Sequence, residues 1–200
     1  TGTGTSTYNG QAITNAELNN ALKVNVTGPT AGAGTYTLQA GDVEFSTDGT
    51  NWTTALPINA GNYQVRLTAQ GKNGIIAKYG NNSIIWTQNG QSTITSNATY
   101  MINKAVMANA QSGNYEMTYN GAAPSTIDPS KFVFTTTVNG QTVTLDATGL
   151  NSSDFTWADG NAPVNVGTYK VVLTDAGLAK LNANNPNFDL TNSGNGTFTI

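Results

Sequence analysis

The chain of 200 residues contains neither cysteine nor histidine, and each absence excludes a class of chemistry. Without cysteine there is no disulfide bond and no thiolate, and the sequence carries no trace of a redox compartment. Without either residue type there is no Ser-His-Asp or Cys-His catalytic set and no zinc site of the usual kind. Any chemistry is therefore left to carboxylates, hydroxyls, amides and aromatic rings.

Charge is the second scarcity. Charged residues make up 10% of the chain, against roughly 25% in an average soluble protein. The 8 basic residues are scattered singly and the net charge is −3, which argues against nucleic acid or an anionic membrane surface as a partner. No apolar run approaches the ~18 residues of a membrane span, so direct membrane insertion is not expected. Neither a signal peptide nor a wall-sorting segment is recognisable, so if the parent protein is secreted, we expect this chain to be an internal piece of it.

Polar uncharged residues take the place of charge. Threonine, asparagine and glycine are abundant, and glycine alone occurs 22 times. Threonine favours strands, whereas asparagine and glycine favour turns, so the composition favours β-structure. Disorder is the competing interpretation of such a polar chain. It is disfavoured because apolar residues reach 38% and alternate regularly with polar ones.

An internal repeat organises the chain. Three segments recur in the same order, at offsets of 111, 106 and 98 residues: Thr7–Gly10 as Thr118–Gly121, Asn59–Thr68 as Asn165–Thr174, and Ala98–Ile102 as Gly196–Ile200. A period near 100 residues is too long for a solenoid unit and is the length of a domain that folds alone. The sequence therefore predicts two tandem homologous domains, residues 1–103 and 104–200, of which the first is divergent.

Apolar residues alternate with polar ones along many short segments, which predicts half-buried strands. They are Leu22, Val24 and Val26; Tyr36 and Leu38; Val43 and Phe45; Tyr63, Val65 and Leu67; Phe132 and Phe134; Val143 and Leu145; Phe155 and Trp157; and Tyr169, Val171 and Leu173. Hairpin turns are predicted at Asp48-Gly49, Asn89-Gly90, Asn139-Gly140 and Asp159-Gly160. Short strands at such spacing are typical of a sandwich or barrel.

Helical spacing interrupts this pattern once in each predicted domain. Leu178 and Leu181 have helical spacing after Thr174, a candidate N-cap, and Pro186 prevents continuation. A weaker pattern runs from Ile75 to Tyr79. We predict one short helix per domain, inserted before the last strand.

The repeated phrase Asn-x-Gly-x-Tyr-x-Val has the layout of the tyrosine corner in immunoglobulin-like sandwiches. There a tyrosine hydroxyl bonds to nearby backbone, two residues before a buried strand position. Tyr63 and Tyr169 would supply the corners, and Val65 and Val171 the buried positions. The sequence thus predicts an all-β protein of two Ig-like β-sandwich domains. The inserted helices leave open an α+β alternative, the β-grasp.

The sequence offers few candidate catalytic or metal-binding groups. Two carboxylate pairs, Asp42 with Glu44 and Asp154 with Asp159, could serve glycoside hydrolysis, but solvated strand and turn acids are the favoured interpretation. The turn at Asp48 offers oxygen ligands without the fixed spacing of a calcium loop. We predict no catalytic, cofactor-binding or metal-binding residues, and the ligand-binding residues remain unassigned.

Lysines and tryptophans supply the other candidates. Lys23, Lys131 and Lys170 could form isopeptide cross-links, although solvated amines on the outer face are the simpler interpretation. Trp52, Trp86 and Trp157 could stack on sugars, but packing is favoured for each. The phase of Trp157 with Phe155 indicates a core position, whereas Trp52 follows a turn and is expected to be exposed.

Several motifs together resemble a known family. They are Tyr119-Asn120-Gly121, the run from Asn165 to Leu181 with Asn184–Phe188 after it, and Gly196–Ile200. They look like the mucus-binding-type repeats, MBG and related YDG-like domains, in large surface adhesins of lactobacilli. The resemblance covers nearly all of residues 105–200 and, more loosely, residues 1–104. It implies secretion, wall anchoring elsewhere in the parent protein, and attachment to mucus or host cells, and it supplies no catalytic residue.

The expected function is therefore non-enzymatic adhesion to mucin glycoproteins or host cell-surface glycans. Weak contacts would be multiplied along an array of monomeric repeats. Two alternatives stay open: a structural stalk that projects another domain, and an accessory module of a secreted carbohydrate-active enzyme.

Overall fold

The computed structural model describes residues 5–27, 34–80, 83–88, 91–94, 97–192 and 194–200, of which 83–88 and 91–94 are described by their backbone only. The chain divides into two compact units, Thr1–Lys104 and Ala105–Ile200. Strands dominate both units. The described residues also contain three α-helices, so the chain is mostly β with few helices.

Unit 1 contains two four-stranded sheets and two helices. In chain order its elements are β1 (Thr5–Thr7), α1 (Asn15–Ala21), β2 (Leu22–Thr27), β3 (Gly34–Tyr36), β4 (Val43–Ser46), β5 (Gly61–Leu67), α2 (Ala69–Tyr79), β6 (Ser83–Gln88), β7 (Gln91–Ile94) and β8 (Ala98–Asn103). The strand orders are β1-β8-β5-β4 and β3-β2-β6-β7. Strand β1 pairs parallel with β8, and the other pairs in unit 1 are antiparallel.

One hydrophobic core joins these elements. Strand β2 contributes Leu22, Val24 and Val26, at the alternating positions that the sequence pattern predicts. Phe45 and Val65 enter the same cluster from the other sheet, and Leu18 and Ile75 enter it from the helices. Both sheets and both helices therefore bury their apolar faces together, which is the condition for a stable layered domain.

Unit 2 also contains two four-stranded sheets, with one α-helix. Its elements are β9 (Ala105–Ser112), β10 (Asn114–Glu116), β11 (Val133–Val138), β12 (Gln141–Thr144), β13 (Phe155–Trp157), β14 (Thr168–Leu173), α3 (Asp175–Asn184), β15 (Phe188–Asn192) and β16 (Gly196–Thr199), with 3₁₀ turns at Pro129–Lys131 and Ser152–Asp154. The strand orders are β10-β16-β14-β13 and β12-β11-β9-β15. The β11–β12 hairpin turns at Asn139 and Gly140, whose φ values of 50° and 74° confirm the predicted turn.

Aromatic rings fill the interior of unit 2. The Phe132 and Phe134 rings lie 5.4 and 6.2 Å from the ring of Phe155. The Phe198 ring lies 5.0 Å from Tyr115 and 5.1 Å from Trp157. Trp157 therefore packs on the buried Phe198, as the favoured packing interpretation predicts, but it is half-buried and does not reach the core position that its phase with Phe155 indicates.

The prediction of one helix per domain is wrong for unit 1, which contains α1 as well as α2. Helix α1 begins with a capping box, in which the Thr14 side chain accepts from the Glu17 N–H and the Glu17 carboxylate accepts from the Thr14 N–H. Nor does either predicted helix directly precede the last strand: β6 and β7 lie between α2 and β8, and β15 lies between α3 and β16. The predicted turn at Asn89-Gly90 lies outside the described residues.

The second sheet differs between the units by one strand. In unit 2, β9 lies between β11 and β15, the strand that follows helix α3. In unit 1, β2 pairs directly with β6, the strand that follows helix α2. The described part of unit 1 thus has no counterpart of β9.

Candidate binding site

A tyrosine fixes the start of the same strand in each unit. Tyr63 Oη donates to the Asn59 carbonyl oxygen at 2.8 Å, and Tyr169 Oη donates to the Asn165 carbonyl oxygen at 2.8 Å. Burial raises the pKa of Tyr63, which keeps its hydroxyl protonated and able to donate. Val65 and Val171 are fully buried. Both predicted tyrosine corners are therefore confirmed.

The loop that ends in this corner is longer in unit 1. Phe45 pairs across the sheet with Val65, 20 residues further along the chain, whereas Trp157 pairs with Val171 after only 14. Because the paired strands fix both ends, the additional residues of unit 1 must lie outside the sheet. They form the loop between β4 and β5.

Asp48 organises the first half of this loop. Its carboxylate accepts the N–H groups of Thr50 and Asn51, both at 2.8 Å, and the Ser46 hydroxyl at 2.9 Å. Hydrogen bonds from Asn51, from its backbone and its side chain, are the largest cause that holds the pKa of Asp48 far below its usual range. The carboxylate therefore serves the turn, and this use accounts for an acid that sequence analysis considered as a calcium ligand.

The second half of the loop is anchored to the body of unit 1. Phe45 and Thr53 exchange two backbone hydrogen bonds of 2.7 and 3.0 Å. The Ile13 N–H donates to the Pro57 carbonyl oxygen at 2.9 Å. Leu56 is half-buried against the unit 1 core. Anchors at both ends and in the middle hold the loop in one conformation.

A cavity of about 330 Å³ lies between this loop, the end of β4 and Tyr63. Its size is at the lower end of the range for small-molecule sites, about 300–1,000 Å³. Apolar groups and uncharged polar groups line it together: Phe45, Ala55, Leu56, Pro57 and Ile58 on one hand, and Ser46, Thr47, Asn51, Thr53, Asn59 and Tyr63 on the other. We call it the loop pocket. No charged residue is among these lining residues.

Trp52 is not the exposed sugar platform that its position after a turn suggests. Its indole N–H donates to the Gly49 carbonyl oxygen at 3.1 Å, and the side chain is half-buried. The Arg66 guanidinium lies 3.8 Å from the centre of its ring, a cation–π contact. Arg66 comes from strand β5, and no local sequence pattern around Trp52 indicates that its ring is covered by an arginine. The side chain of Trp86 lies outside the described residues.

The first carboxylate pair is occupied by structural contacts. Asp42 is buried and accepts the Tyr36 hydroxyl at 3.0 Å and the Gln39 N–H at 2.8 Å. Glu44 pairs with Arg66 at 2.6 Å. The expectation of solvated acids is wrong for Asp42, because a buried carboxylate needs such donors to replace water.

The second pair is divided between interior and surface. Asp154 is buried, and its carboxylate accepts Lys180 Nζ at 2.8 Å and the Asn151 N–H at 2.8 Å. Asp159 is exposed and accepts the Asn161 N–H in a turn at 3.3 Å. The interpretation as solvated acids therefore holds for Asp159 and is wrong for Asp154.

Comparison with known proteins identifies the family of these two units. A model of the MBG domain matches residues 1–104 and again residues 106–200. The chain belongs to the MBG family. A solved structure of a cell surface adhesin from Lactobacillus reuteri is 36% identical, covers 46% of this chain and 93% of its own, and superposes with a TM-score of 0.38. No curated protein matches the chain at a significant level.

Membership of the MBG family supports a surface adhesion module. Within the described ranges, no three acidic side chains converge as a metal site would require. Lys23, Lys131 and Lys170, the candidates for a cross-link, are all exposed. No helix of the described residues has the length and apolarity to cross a membrane.

The ion pair of the second MBG domain makes its stability pH-dependent. The hydrogen bond from Lys180 is the largest cause that lowers the pKa of Asp154 below its ordinary 3.8. A lowered folded-state pKa means that the stabilisation is present above the unfolded pKa and is lost as pH falls through the folded pKa. We expect Lys180→Met to raise the pKa of Asp154 and to move the acid unfolding midpoint to higher pH. Thermal unfolding followed by circular dichroism between pH 2 and 7 measures this.

Lys170→Met is the matched control, because Lys170 is exposed on β14 and its substitution removes the same charge. The two variants should differ at pH 7 and converge as the pH falls through the pKa of Asp154, because a protonated carboxyl no longer pairs with Lys180. Equal curves for both variants at all pH values would show that the Lys180 contact contributes nothing.

Proposed function

We propose that this chain is a non-enzymatic adhesion module of a bacterial surface protein that binds mucin glycoproteins or host cell-surface glycans. The observation that carries the proposal is the double match to the MBG family in adjacent segments. The carboxylates considered for catalysis support it, because Asp42, Glu44 and Asp154 each have a structural partner.

Weak binding by each domain is sufficient in such a module. Linking two weak sites makes the second binding event intramolecular, and avidity then exceeds single-site affinity by roughly 10²–10⁴. The surface suits contacts to glycans, because hydroxyls and amides replace charge over most of the chain. We place the protein outside the cell, with a cell-wall anchor beyond this sequence and the domains acting as monomers in a tandem array.

We also propose that residues 1–103 and 104–200 are two independently folding Ig-like domains. The tyrosine corners support this assignment, since they occupy the position that an Ig-like sandwich requires. In each unit a short strand near the start pairs parallel with the last strand, β1 with β8 and β10 with β16, which supports a common plan for both. An Ig-like domain of this kind would differ from the usual sandwich by having a helix beside its sheets.

Retention on mucin tests the adhesive function. The whole 200-residue chain, biotinylated and tetramerised on streptavidin, should remain on immobilised mucin at least tenfold longer than the untethered chain, because effective concentration multiplies weak contacts. Surface plasmon resonance gives both lifetimes. Albumin and enzymatically deglycosylated mucin are the control surfaces, and they should retain less of the tetramer. A tetramer that mucin retains no better than albumin would leave the chain as a spacer.

A further inference from the structure

We propose that the loop pocket of the first MBG domain binds one uncharged pyranose residue of a glycan. The proposal rests on the proposed function and names the ligand class and the site. The pocket also occurs where the loop of unit 1 is longer than the corresponding loop of unit 2, so it is a property of unit 1 rather than of the shared sheet framework.

The absence of charge selects the ligand class. A sialic acid carboxylate or a sulfate would lose hydration on entry and would find no cationic partner among the lining residues. The guanidinium of Arg66 is paired with Glu44 and lies over the ring of Trp52. The net charge of −3 also disfavours an anion. An uncharged ring avoids all three costs.

The lining suits a ring with one apolar and one polar aspect. Among the apolar lining residues Phe45 and Pro57 are buried, so the half-buried Leu56 and the exposed Ile58 offer the apolar surface for the C–H face of a sugar. Thr47 is exposed, and its hydroxyl makes no hydrogen bond within the described part of the chain. The Asn51 side chain at the rim donates to Asp48, which leaves its amide oxygen available as an acceptor. Such polar groups can bind sugar hydroxyls and fix the orientation of the ring.

The loop is already held in place, which reduces the cost of binding. Asp48, the Phe45–Thr53 hydrogen bonds and the contact between Ile13 and Pro57 fix the walls before a ligand arrives. Ordering costs on association are therefore small. A single monosaccharide in an open pocket is nevertheless expected to bind with a dissociation constant of the order of 1 mM.

Ile58 provides a clean probe of the pocket. It lies at the rim with 46% of its surface exposed, so a substitution there changes the pocket without disturbing the core. Val164 stands at the matching place in unit 2, directly before the carbonyl that accepts from the corner tyrosine, and is 42% exposed. Ile58→Lys and Val164→Lys thus make the same chemical change at equivalent positions, once at the pocket and once away from it.

Heteronuclear NMR of the whole 200-residue chain tests the proposal. Methyl N-acetyl-α-galactosaminide and methyl β-galactoside are the uncharged probes, and N-acetylneuraminic acid is the anionic one. At least one uncharged glycoside should shift amides of residues 46–63, whereas the acid should leave them in place. Both Ile58→Lys and Ile58→Asp should raise the dissociation constant of that glycoside at least tenfold, and Val164→Lys should leave it unchanged.

Three results would overturn the proposal: no shifts with either glycoside, equal shifts with the acid, or equal loss of affinity in Val164→Lys. Unchanged amide positions outside the loop show that each variant is folded. The mucin experiment stands apart from this test. Retention on mucin without any effect of Ile58→Lys would preserve the proposed function and exclude this pocket. Sugar-induced shifts without retention on mucin would preserve the pocket as a sugar site and exclude the proposed mucin adhesion.

Discussion

Gly177→Ala should destabilise unit 2 by about 2 kcal/mol, although alanine is the better helix former. Gly177 is the third residue of α3, where its backbone lies directly against the Asp154 carbonyl oxygen. A Cβ atom there would overlap that oxygen and would also lie 3.0 Å from Leu173 Cδ2. The oxygen cannot withdraw, because it accepts the Thr174 N–H at 2.9 Å and the Thr174 hydroxyl at 3.2 Å. The overlap outweighs the gain in helix propensity of about 1 kcal/mol.

Guanidinium unfolding of the whole chain, followed by circular dichroism, measures the change. Ala176→Gly is the control, since Ala176 is the preceding residue of the same helix and is exposed. Its loss should be about 1 kcal/mol, from helix propensity alone. Propensity alone would therefore give the two variants effects of opposite sign, whereas propensity together with the overlap at residue 177 makes both variants less stable than the wild type. A stabilised Gly177→Ala protein would contradict the close approach of helix α3 to the Asp154 carbonyl group.

Unit 1 repeats this arrangement. Gly71 is the third residue of α2 and lies against the Asp42 carbonyl oxygen, which accepts the Thr68 N–H at 2.9 Å. The recurrence of Thr-x-x-Gly after β5 and β14 was therefore a signal that each helix start lies close to the backbone just before the neighbouring strand, available in the sequence at Thr68–Gly71 and Thr174–Gly177. Periodicity alone could not reveal it, because the glycine contributes no side chain to an apolar pattern.

Local sequence patterns predicted the strands and corners that are determined by residues close together in the chain. Alternation located β2, β5 and β14 because one face of each strand is buried, and the tyrosine corners followed from a seven-residue phrase. Helix α1 escaped because its seven residues span only two turns and bury only Leu18. The capping box at Thr14 and Glu17 was the readable signal for it.

The loop pocket could not be predicted from any such pattern. Its walls come from strand β4, from the loop and from Tyr63, and they meet only because Phe45 pairs with both Val65 and Thr53. Contacts of this kind depend on the path of the chain. The same reason explains Trp52, whose cover by Arg66 follows from the pairing of β4 with β5. In the sequence, only the difference in length between the two loops indicated that unit 1 differs here, and a length does not define the shape of a pocket.

Phe198→Ala should cost unit 2 about 3–5 kcal/mol, the range for a large buried aromatic side chain. Phe198 is fully buried in β16, and the rings of Tyr115 and Trp157 at 5.0 and 5.1 Å cannot both collapse into the space it leaves. A domain of this size has a total stability of only about 5–15 kcal/mol, so the loss approaches the threshold of folding. Phe198→Leu leaves a smaller cavity and keeps the prediction measurable if the alanine variant unfolds.

Amide hydrogen exchange of the whole chain reports this loss locally. Protection of the β14 amides, which pair with β16, should fall in the order wild type, Phe198→Leu, Phe198→Ala. Tyr119→Ala is the control, because Tyr119 is 55% exposed and its removal should change stability by no more than about 0.5 kcal/mol. The β5 amides of unit 1 give a second comparison: if the two units fold independently as proposed, their protection stays constant while that of β14 falls. An equal fall in both strands would mean that unit 1 depends on the core around Phe198.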